Sequence, residues 1–424
     1  MLSQNASRRG LIEPTPDLCL ACRGNRMLCG RVFCPIIVKS MAKRKLNISN
    51  QVYGSSPPSI FVGRVGYPKV YVGPMTPPYV GNTTILDLPE SWVYKKIEEI
   101  VDYRFSLIRG KIVANVKNAS NPSKYLEIIQ EFAMGEKPVD AEMVLEKKPS
   151  GSITFNEEVP PYGPSAPLKE IRLSGNVYVD SRIEKAYYDK YLKAEDAVIQ
   201  LYLKNVPVSR IQRAFSAGIL GEKHERRFVS TRWSITAVDD IISKNIINEI
   251  KHYPIINEYL VYVRKHLDNV FIGFLIPDYW SYEWIEAWYP QTTWNLSYNT
   301  VELIGDHEGY KGRTVYASEI GGCYYAARLA AVEALKSMKR QATVLLLREI
   351  HPGFTLPLGV WFVRENLREM FKQRPMKFNS LDEALKFIIS NSTIKLERWI
   401  KVSWILNKLL FQTKLTRFMG DELL

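Results

Sequence analysis

Four of the five cysteines in this 424-residue chain lie close together near its amino terminus. They are Cys19, Cys22, Cys29 and Cys34, with the spacing C-x2-C-x6-C-x4-C. A C-x2-C pair supplies two thiolates from one tight turn, and a second pair completes the tetrahedral set that Zn²⁺ prefers. Four thiolates leave no open coordination position. We therefore expect zinc to have a structural role here and not a catalytic one.

An iron–sulfur cluster is the main alternative to zinc, and a pair of disulfides is a weaker one. The surroundings of the cysteines are strongly basic, and Arg23, Arg26 and Arg31 lie between or beside them. These cations form either a solvated face or a small zinc-pinned module that rests on a phosphate backbone, and we favour the module. Residues 1–46 are accordingly predicted to be a basic zinc-binding domain.

The composition places the chain among folded proteins that favour polyanions. Hydrophobic residues make up 46% of the chain, and 57 Lys and Arg residues against 44 acids give a net charge of +13. Such an excess attracts phosphate through counterion release. Apolar runs are too short to cross a bilayer, and no signal sequence opens the chain. We expect a cytoplasmic, nucleoid-associated protein without a membrane partner.

The periodicity predicts an α+β fold of mixed helices and mostly antiparallel strands, with a helical carboxyl-terminal part. Amphipathic helices are expected over 94–109 and 396–410, and a longer helix over 182–203. The segment 147–167 is rich in Pro, Gly and Ser and is predicted to be a linker or surface loop. The domain boundaries expected after the zinc module are 47–300 for a main domain, 301–410 for a helix-rich domain and 411–424 for a tail.

A glycine-containing loop follows the zinc module. The β-rich runs 60–62 and 70–72 flank a loop with two glycines and two cations: Gly63, Arg64, Gly66 and Lys69. Backbone that can approach a ligand closely, beside two cations, suits a phosphate. The loop lacks the Gly-Lys-Ser/Thr ending of a P-loop. A plain hairpin with glycine turn residues is the simpler interpretation, and residue chemistry alone favours it.

A second group of cations lies in the middle of the chain, where Arg226, Arg227 and Arg232 precede Trp233. Arginine beside an aromatic ring can pair with phosphate while a base stacks on the ring. Helix capping by Ser234 also explains the tryptophan, but it leaves the arginines unexplained. A Tyr- and Trp-rich region ending at Trp294 is either a base-stacking platform or, more commonly, a buried core.

The carboxyl-terminal segment has the pattern of a docking peptide. Gln412, Leu415 and Phe418 are spaced three apart, and Met419 extends the apolar side. In one 3₁₀-like turn, Leu415 and Phe418 project from the same side. The segment resembles the PCNA-interacting peptide of sliding-clamp clients, with methionine in the position of the second aromatic residue. A frayed helix end is the alternative.

The zinc knuckle, the glycine loop and the clamp-like peptide, in this order, resemble the archaeal Nre family. Further matching stretches are Val206–Arg210, Thr231–Thr236 and Gly321–Tyr324, so the likeness covers nearly the whole chain. The resemblance implies a protein associated with DNA repair that binds the PCNA sliding clamp. It implies no established catalytic mechanism.

Searches for standard catalytic motifs leave the question of an enzyme open. The chain has no Walker loop, H-E-x-x-H, G-x-S-x-G or Rossmann fingerprint. Asp306, His307 and Glu308 are the nearest approach to a nuclease-like metal cluster, although a charged turn is the commoner explanation. We therefore expect a DNA-repair-associated protein that docks on PCNA and acts on or near DNA. An enzyme that processes a nucleotide or DNA lesion and a non-catalytic nucleic-acid adaptor are the alternatives.

Overall fold

The computed structural model describes Leu18, Cys22 and residues 49–411, except 151–154, 157, 291, 293, 296–298 and 355. The described chain is α+β, as predicted, with two mixed sheets and helices around them. It divides into two compact units. The first comprises the described residues of Met1–Asn245 and Thr355–Glu365, and the second those of Ile246–Phe354 and Asn366–Leu424.

A six-stranded sheet forms the centre of the first unit, in the order β1-β5-β6-β4-β3-β2. Its strands are β1 (Gln51–Ser56), β2 (Ile60–Val62), β3 (Lys69–Thr76), β4 (Ile108–Asn115), β5 (Val139–Leu145) and β6 (Ser165–Leu173). The β4–β6 pairing is parallel and the other pairings are antiparallel. Along β5, buried and half-buried residues alternate strictly, as expected for a sheet with one face in the core. Met143 and Leu145 of this face pack with Ile108 and Leu168.

The first unit carries its helices between and after these strands. They are α1 (Ile97–Phe105), α2 (Lys124–Met134), α3 (Ser181–Tyr188), α4 (Ala194–Leu203), α5 (Val208–Ser216) and the first part of α6 (Thr231–Ile250). The start of α8 (Trp361–Phe371) returns to the same unit. There the Arg364 guanidinium lies 3.0 Å from the Asp239 carboxylate, and both side chains are fully buried. The Trp361 ring packs edge-on against Trp92, with 5.2 Å between ring centroids.

The second unit is built on another six-stranded sheet, in the order β10-β9-β11-β8-β7-β12. Its strands are β7 (Tyr259–His266), β8 (Asn269–Ile276), β9 (Ser281–Trp288), β10 (Glu302–Glu308), β11 (Thr343–Ile350) and β12 (Met376–Phe378). Every residue of β8 and β11 is buried, so both faces of the central strands are covered. Trp280, Tyr282 and Trp284 are also fully buried. These aromatic residues therefore form a core and not a base-stacking platform.

Helices cover this sheet. They are α7 (Gly322–Met338), the later part of α8, α9 (Leu381–Asn391), α10 (Leu396–Val402) and α11 (Trp404–Phe411). The predicted helix 396–410 is two helices because Ser403 interrupts it. The buried Glu283 carboxylate accepts hydrogen bonds from Ser403 Oγ and from the backbone N–H groups of Trp404 and Ile405. A carboxylate from β9 thus caps α11, as a side-chain acceptor at a helix start does in general.

The division of the chain falls at Asn245/Ile246, whereas the sequence predicted a boundary at 300. The reason is that β9 and β10, on either side of residue 300, pair along their whole length in one sheet. None of the helices in the described part of the chain is long and apolar enough to span a bilayer.

Candidate functional site

A cavity of about 300 Å³ opens on one face of the first unit's sheet. Its floor is formed by β2, β3 and β4, through Phe61, Tyr71 and Arg109. Tyr162, Asn156 and Val159 form one wall, and the start of α6 forms another. Part of the predicted surface loop 147–167 is therefore a wall of this cavity.

Strand alternation explains why these side chains share one face. Residues two apart in a strand point to the same side, so Arg109 and Lys111 both face the cavity. Tyr71 pairs directly with Val113 across β3 and β4. On the other side of β3, the pairing with β2 extends to Gly63, whose N–H donates a hydrogen bond to the Tyr71 carbonyl at 2.7 Å.

Two glycines allow β3 and β4 to approach closely beneath this face. A Cβ on Gly73 would lie only 1.7 Å from the Gly110 carbonyl oxygen, a distance that no side chain tolerates. The ladder of paired residues is interrupted at this point, between the pairs Val72–Ile112 and Met75–Arg109, and the register is the same on both sides. The glycine contact therefore fixes where β4 presents the two cations on either side of Gly110.

Four cations line the cavity, and among the described residues no carboxylate does. Arg64 is exposed at the rim, Arg232 and Lys111 are half-buried, and Arg109 is buried. The nearby Glu158 carboxylate makes an ion pair with Arg232 and accepts a hydrogen bond from its Nη2 at 2.7 Å. One of the four positive charges is thus neutralised within the protein.

Arg109 is the least exposed of the four, at 9% of its surface. Its guanidinium carbon lies 4.7 Å from the Phe61 ring centroid and 4.3 Å from that of Tyr162. Burial lowers the pKa of Arg109 to about 10, an effect that Tyr162 opposes and Arg104 reinforces. Burial also lowers the pKa of Lys111, and the positive charges of Arg109 and Lys147 add to this effect. Keeping these cations charged in the cavity therefore has a desolvation cost, which a bound anion would reduce.

The start of α6 is tied to the hairpin that carries Arg64. The Val62 N–H donates to Thr231 Oγ1 at 3.0 Å. Ser230, just before the helix, and Arg232, in its first turn, line the cavity. The first N–H groups of a helix have no intrahelical acceptor, and the helix dipole makes this end positive. Helix and hairpin together favour an anion.

The structure brings together three of the residues predicted to bind phosphate: Gly63, Arg64 and Arg232. The predicted hairpin is confirmed, since β2 and β3 pair antiparallel. Gly66 and Lys69 lie exposed at its tip, and neither is among the cavity's lining residues. Gly66 has a φ of +87°, which explains why glycine occupies the turn.

The central arginines separate in the structure. Arg226 is buried, and its guanidinium donates to the carbonyls of Gly221, Tyr187 and Asp189. Arg227 is exposed and pairs with Glu225 at 3.3 Å. The predicted phosphate contact of Arg226 is therefore replaced by a structural role, because its donors already hold three loop carbonyls.

The other predicted sites fall largely outside the described residues. Of the four cysteines, only Cys22 belongs to the described residues, and it is buried. The remaining predicted residues of the knuckle and the docking peptide lie outside the described part: Cys19, Cys29, Cys34, Arg23, Arg26, Arg31, Gln412, Leu415, Phe418 and Met419.

The acidic triplet on β10 is used for packing. Asp306 pairs with Arg313 at 3.0 Å and accepts the N–H groups of Glu319 and Ile320. Glu308 accepts from Arg328, and the His307 ring stacks on that of Trp404. Within the described residues, no group of three His, Cys, Asp or Glu is arranged to hold a metal ion.

Sequence reasoning missed Arg109 and Lys111. The helix predicted over 94–109 ends at Phe105 in the structure, and β4 begins at Ile108. Ile112 and Val113 are β-branched residues, which favour a strand, and Gly110 before them weakens a helix. That glycine was the available signal of a strand carrying cations at alternate positions.

Comparison with known proteins decides the family. The profile described as "Archaeal Nre, N-terminal" matches residues 28–295, and "Archaeal Nre, C-terminal" matches residues 308–418. The chain belongs to the archaeal Nre family. The resemblance seen in the sequence is thus confirmed.

Three curated relatives within the Nre family are named DNA repair proteins. NreB of Archaeoglobus fulgidus is 45% identical over 92% of this chain and 97% of its own length. NreA of the same organism is 38% identical, covering 87% of this chain and 92% of the relative. NreA of Haloferax volcanii is 33% identical, covering 80% and 82%. No solved structure matches the chain.

Proposed function

We infer that this Nre protein acts in DNA repair, binding DNA phosphate in the cavity of its first unit while its terminal peptide docks on the PCNA clamp. The names of its relatives support the repair role. The zinc knuckle would be a third, structural element, since four thiolates suit Zn²⁺ and leave no position for a substrate.

The observation that carries the proposal is the charge of the cavity. Arg64, Arg109, Lys111 and Arg232 converge on it, and no carboxylate is among its described lining residues. Phosphates of a nucleic acid bind such a surface by displacing condensed counterions, and each neutralised phosphate steepens the salt dependence of binding. The net charge of +13 adds a long-range attraction of the same sign.

The position of the terminal peptide supports clamp docking. The last described helix ends at Phe411, whose side chain is 69% exposed, and the peptide begins at the next residue. A peptide that follows directly on the folded body holds that body close to DNA threaded through the clamp. A short tether between the body and the clamp raises the local concentration of the body to about the millimolar range.

The test of DNA binding compares wild type with the double variant Arg64→Glu/Lys111→Gln by fluorescence anisotropy across a salt series. We expect affinity to fall at least about tenfold. The slope of log K against log salt should become shallower by about 0.9 for each phosphate that the variant no longer neutralises. Lys386→Gln is the matched control, since Lys386 is exposed and pairs with Asp382 on the surface of α9. Unchanged affinity and slope in the double variant would remove the cavity from the proposal.

A further inference from the structure

Arg109 differs from an ordinary buried arginine in how it is held. Buried guanidinium groups normally make ion pairs or several hydrogen bonds, because removing the charge from water is costly. Arg104 shows the normal case: it donates to the carbonyls of Pro161 and Leu86 and to the Asp87 carboxylate. By contrast, Arg109 Nε has no hydrogen-bond partner among the described residues, although the side chain is 91% buried.

The aromatic contacts of Arg109 orient its guanidinium without neutralising it. Phe61 and Tyr162, with ring centroids 5.2 Å apart, both lie within 5 Å of the guanidinium carbon. A cation over two ring faces keeps its N–H edge available for an acceptor. The cavity is where that acceptor would sit, since Arg109 and Lys111 both line it.

Lys111, the second cation on the cavity floor, lies against the exposed ring of Tyr71. Lys111 Nζ is 5.2 Å from the centroid of the Tyr71 ring, and 47% of the Tyr71 side chain is exposed. Next along the chain to the lining residue Arg232, Trp233 forms an edge-on pair with Tyr67, with ring centroids 5.8 Å apart, and each residue is about half exposed. Exposed rings next to phosphate-binding cations are the arrangement on which bases stack.

The size of the cavity restricts what can reach Arg109. A volume of about 300 Å³ is at the lower end of small-molecule sites, which run from about 300 to 1,000 Å³. A phosphate in a continuous duplex lies on a broad convex surface and cannot enter a recess of this size. A single nucleotide can enter if it is free, at a strand end or turned out of the stack.

We propose that the cavity is a nucleotide-binding site, in which Arg109 and Lys111 hold the phosphate of one nucleotide unit and Tyr71 stacks on its base. This inference rests on the proposed function and makes it more specific: duplex contacts at Arg64 and Arg232 lie at the rim, and one nucleotide occupies the interior. A strand terminus, an extruded nucleotide and a free nucleotide share this chemistry.

The experiment uses the full chain and a fluorescent single-stranded DNA ten nucleotides long that carries a 5′-phosphate. Unlabelled competitors are dAMP, deoxyadenosine, inorganic phosphate, the same strand with a 5′-hydroxyl, a fully paired duplex and a duplex with one unpaired base. We expect dAMP to compete. Deoxyadenosine should compete at least about tenfold more weakly, because it lacks the phosphate that would accept charged hydrogen bonds from Arg109 and Lys111. The other competitors tell a strand end from an extruded nucleotide.

Variants connect the binding to the proposed atoms. Lys111→Gln and Arg109→Lys should each weaken dAMP at least about tenfold, and Tyr71→Leu should weaken dAMP more than inorganic phosphate. Lys386→Gln is the control. If Arg109→Lys does not fold, Lys111→Gln alone tests the site, because Lys111 is only half-buried and its replacement should disturb the fold less.

Equal competition by dAMP and deoxyadenosine, or dAMP binding unaffected by Lys111→Gln, would overturn the inference. If dAMP fails to bind while duplex binding still depends on Arg64, the site for a single nucleotide is wrong and the proposed DNA binding stands. If neither dAMP nor any DNA binds, both are wrong.

Discussion

The Arg109 guanidinium lies 4.3 Å from the centroid of the Tyr162 ring, and Tyr162 opposes the lowering of the Arg109 pKa by burial. The ring comes from the segment after residue 155 and the arginine from β4, so the contact exists only in the folded unit. It keeps a positive charge inside the cavity, where Arg109 Nε has no acceptor among the described residues. The rest of the proposed binding site is arranged around this pair.

Glu158 should limit DNA binding through its ion pair with Arg232. We expect Glu158→Gln to raise affinity for DNA by roughly fivefold, the equivalent of ~1 kcal/mol, because Arg232 then becomes available to phosphate. Anisotropy titration at constant salt measures this. Glu170→Gln, which breaks the Glu170–Arg172 pair on β6, is the matched control. A lower affinity in Glu158→Gln would mean that Arg232 is needed in its paired position.

The close approach of β3 and β4 should make Gly73 intolerant of any side chain. Gly73→Ala places a Cβ against the Gly110 carbonyl, so we expect the free energy of unfolding to fall by at least about 2 kcal/mol. Gly175→Ala is the comparison, since nothing lies within 4 Å of its added Cβ. Urea denaturation of both variants gives the difference, and equal stabilities would contradict the described packing.

The Glu349 carboxylate should make the second unit sensitive to acid. Burial raises its pKa, but hydrogen bonds from His351, Ser392 and Thr393 outweigh this and hold the pKa below its ordinary value of 4.5. A carboxyl group whose folded pKa is lowered stabilises the protein above its unfolded pKa, and the contribution is lost as the pH falls through the folded pKa.

Glu349→Gln should therefore cost about 2 kcal/mol of unfolding free energy at pH 7. The difference from wild type should shrink as the pH falls below about 4.5. Urea titrations between pH 3 and 7 measure it, with the exposed Glu397→Gln as control. A difference that is independent of pH would assign the effect to packing.

The cysteine cluster predicts one zinc ion per chain, measured by elemental analysis of purified protein. We expect Cys19→Ser or Cys29→Ser to lower the zinc content, because a three-thiolate set binds less tightly, whereas Cys323→Ser should not change it. Cys323, half-buried in α7, is the matched thiol. Iron with acid-labile sulfide in place of zinc would show the alternative cluster.

The terminal peptide predicts a measurable clamp affinity. Leu415→Ala/Phe418→Ala should weaken binding to PCNA by at least about 100-fold in calorimetry, since each buried apolar side chain contributes about 1.5–3 kcal/mol. Lys414→Ala changes a position that the motif leaves unspecified and should have little effect. Equal affinities for both variants would exclude the peptide from clamp docking.

The sequence predicted elements well where local signals were complete. The β-rich runs 60–62 and 70–72 lie in the paired strands β2 and β3, and most of the helix predicted over 94–109 is α1. The sequence analysis did not predict the points at which a side chain interrupts a helix. The predicted helix 182–203 is interrupted because the Asp189 carboxylate accepts the N–H groups of Tyr191 and Leu192.

About half of the residues of the candidate site could be predicted from the sequence, because they too carry local signals. Gly63 and Arg64 belong to a recognisable hairpin, and the arginine-plus-tryptophan pattern singled out Arg232. Arg109 and Lys111 were hidden because a helical apolar pattern runs to Ile108, and strand pairing with β3 and β6 overrides it. The long-range ion pair of Glu158 with Arg232 has no local signal at all.

The return of the chain to its first unit near residue 360 has a consequence for biosynthesis. Asp239 is buried against Arg364, which the ribosome adds only after most of the second unit's sheet has been made. A nascent chain that has reached residue 245 thus carries a carboxylate with its counterion still untranslated. The amino-terminal half should remain incompletely closed, and open to protease, until about the last seventh of the protein emerges.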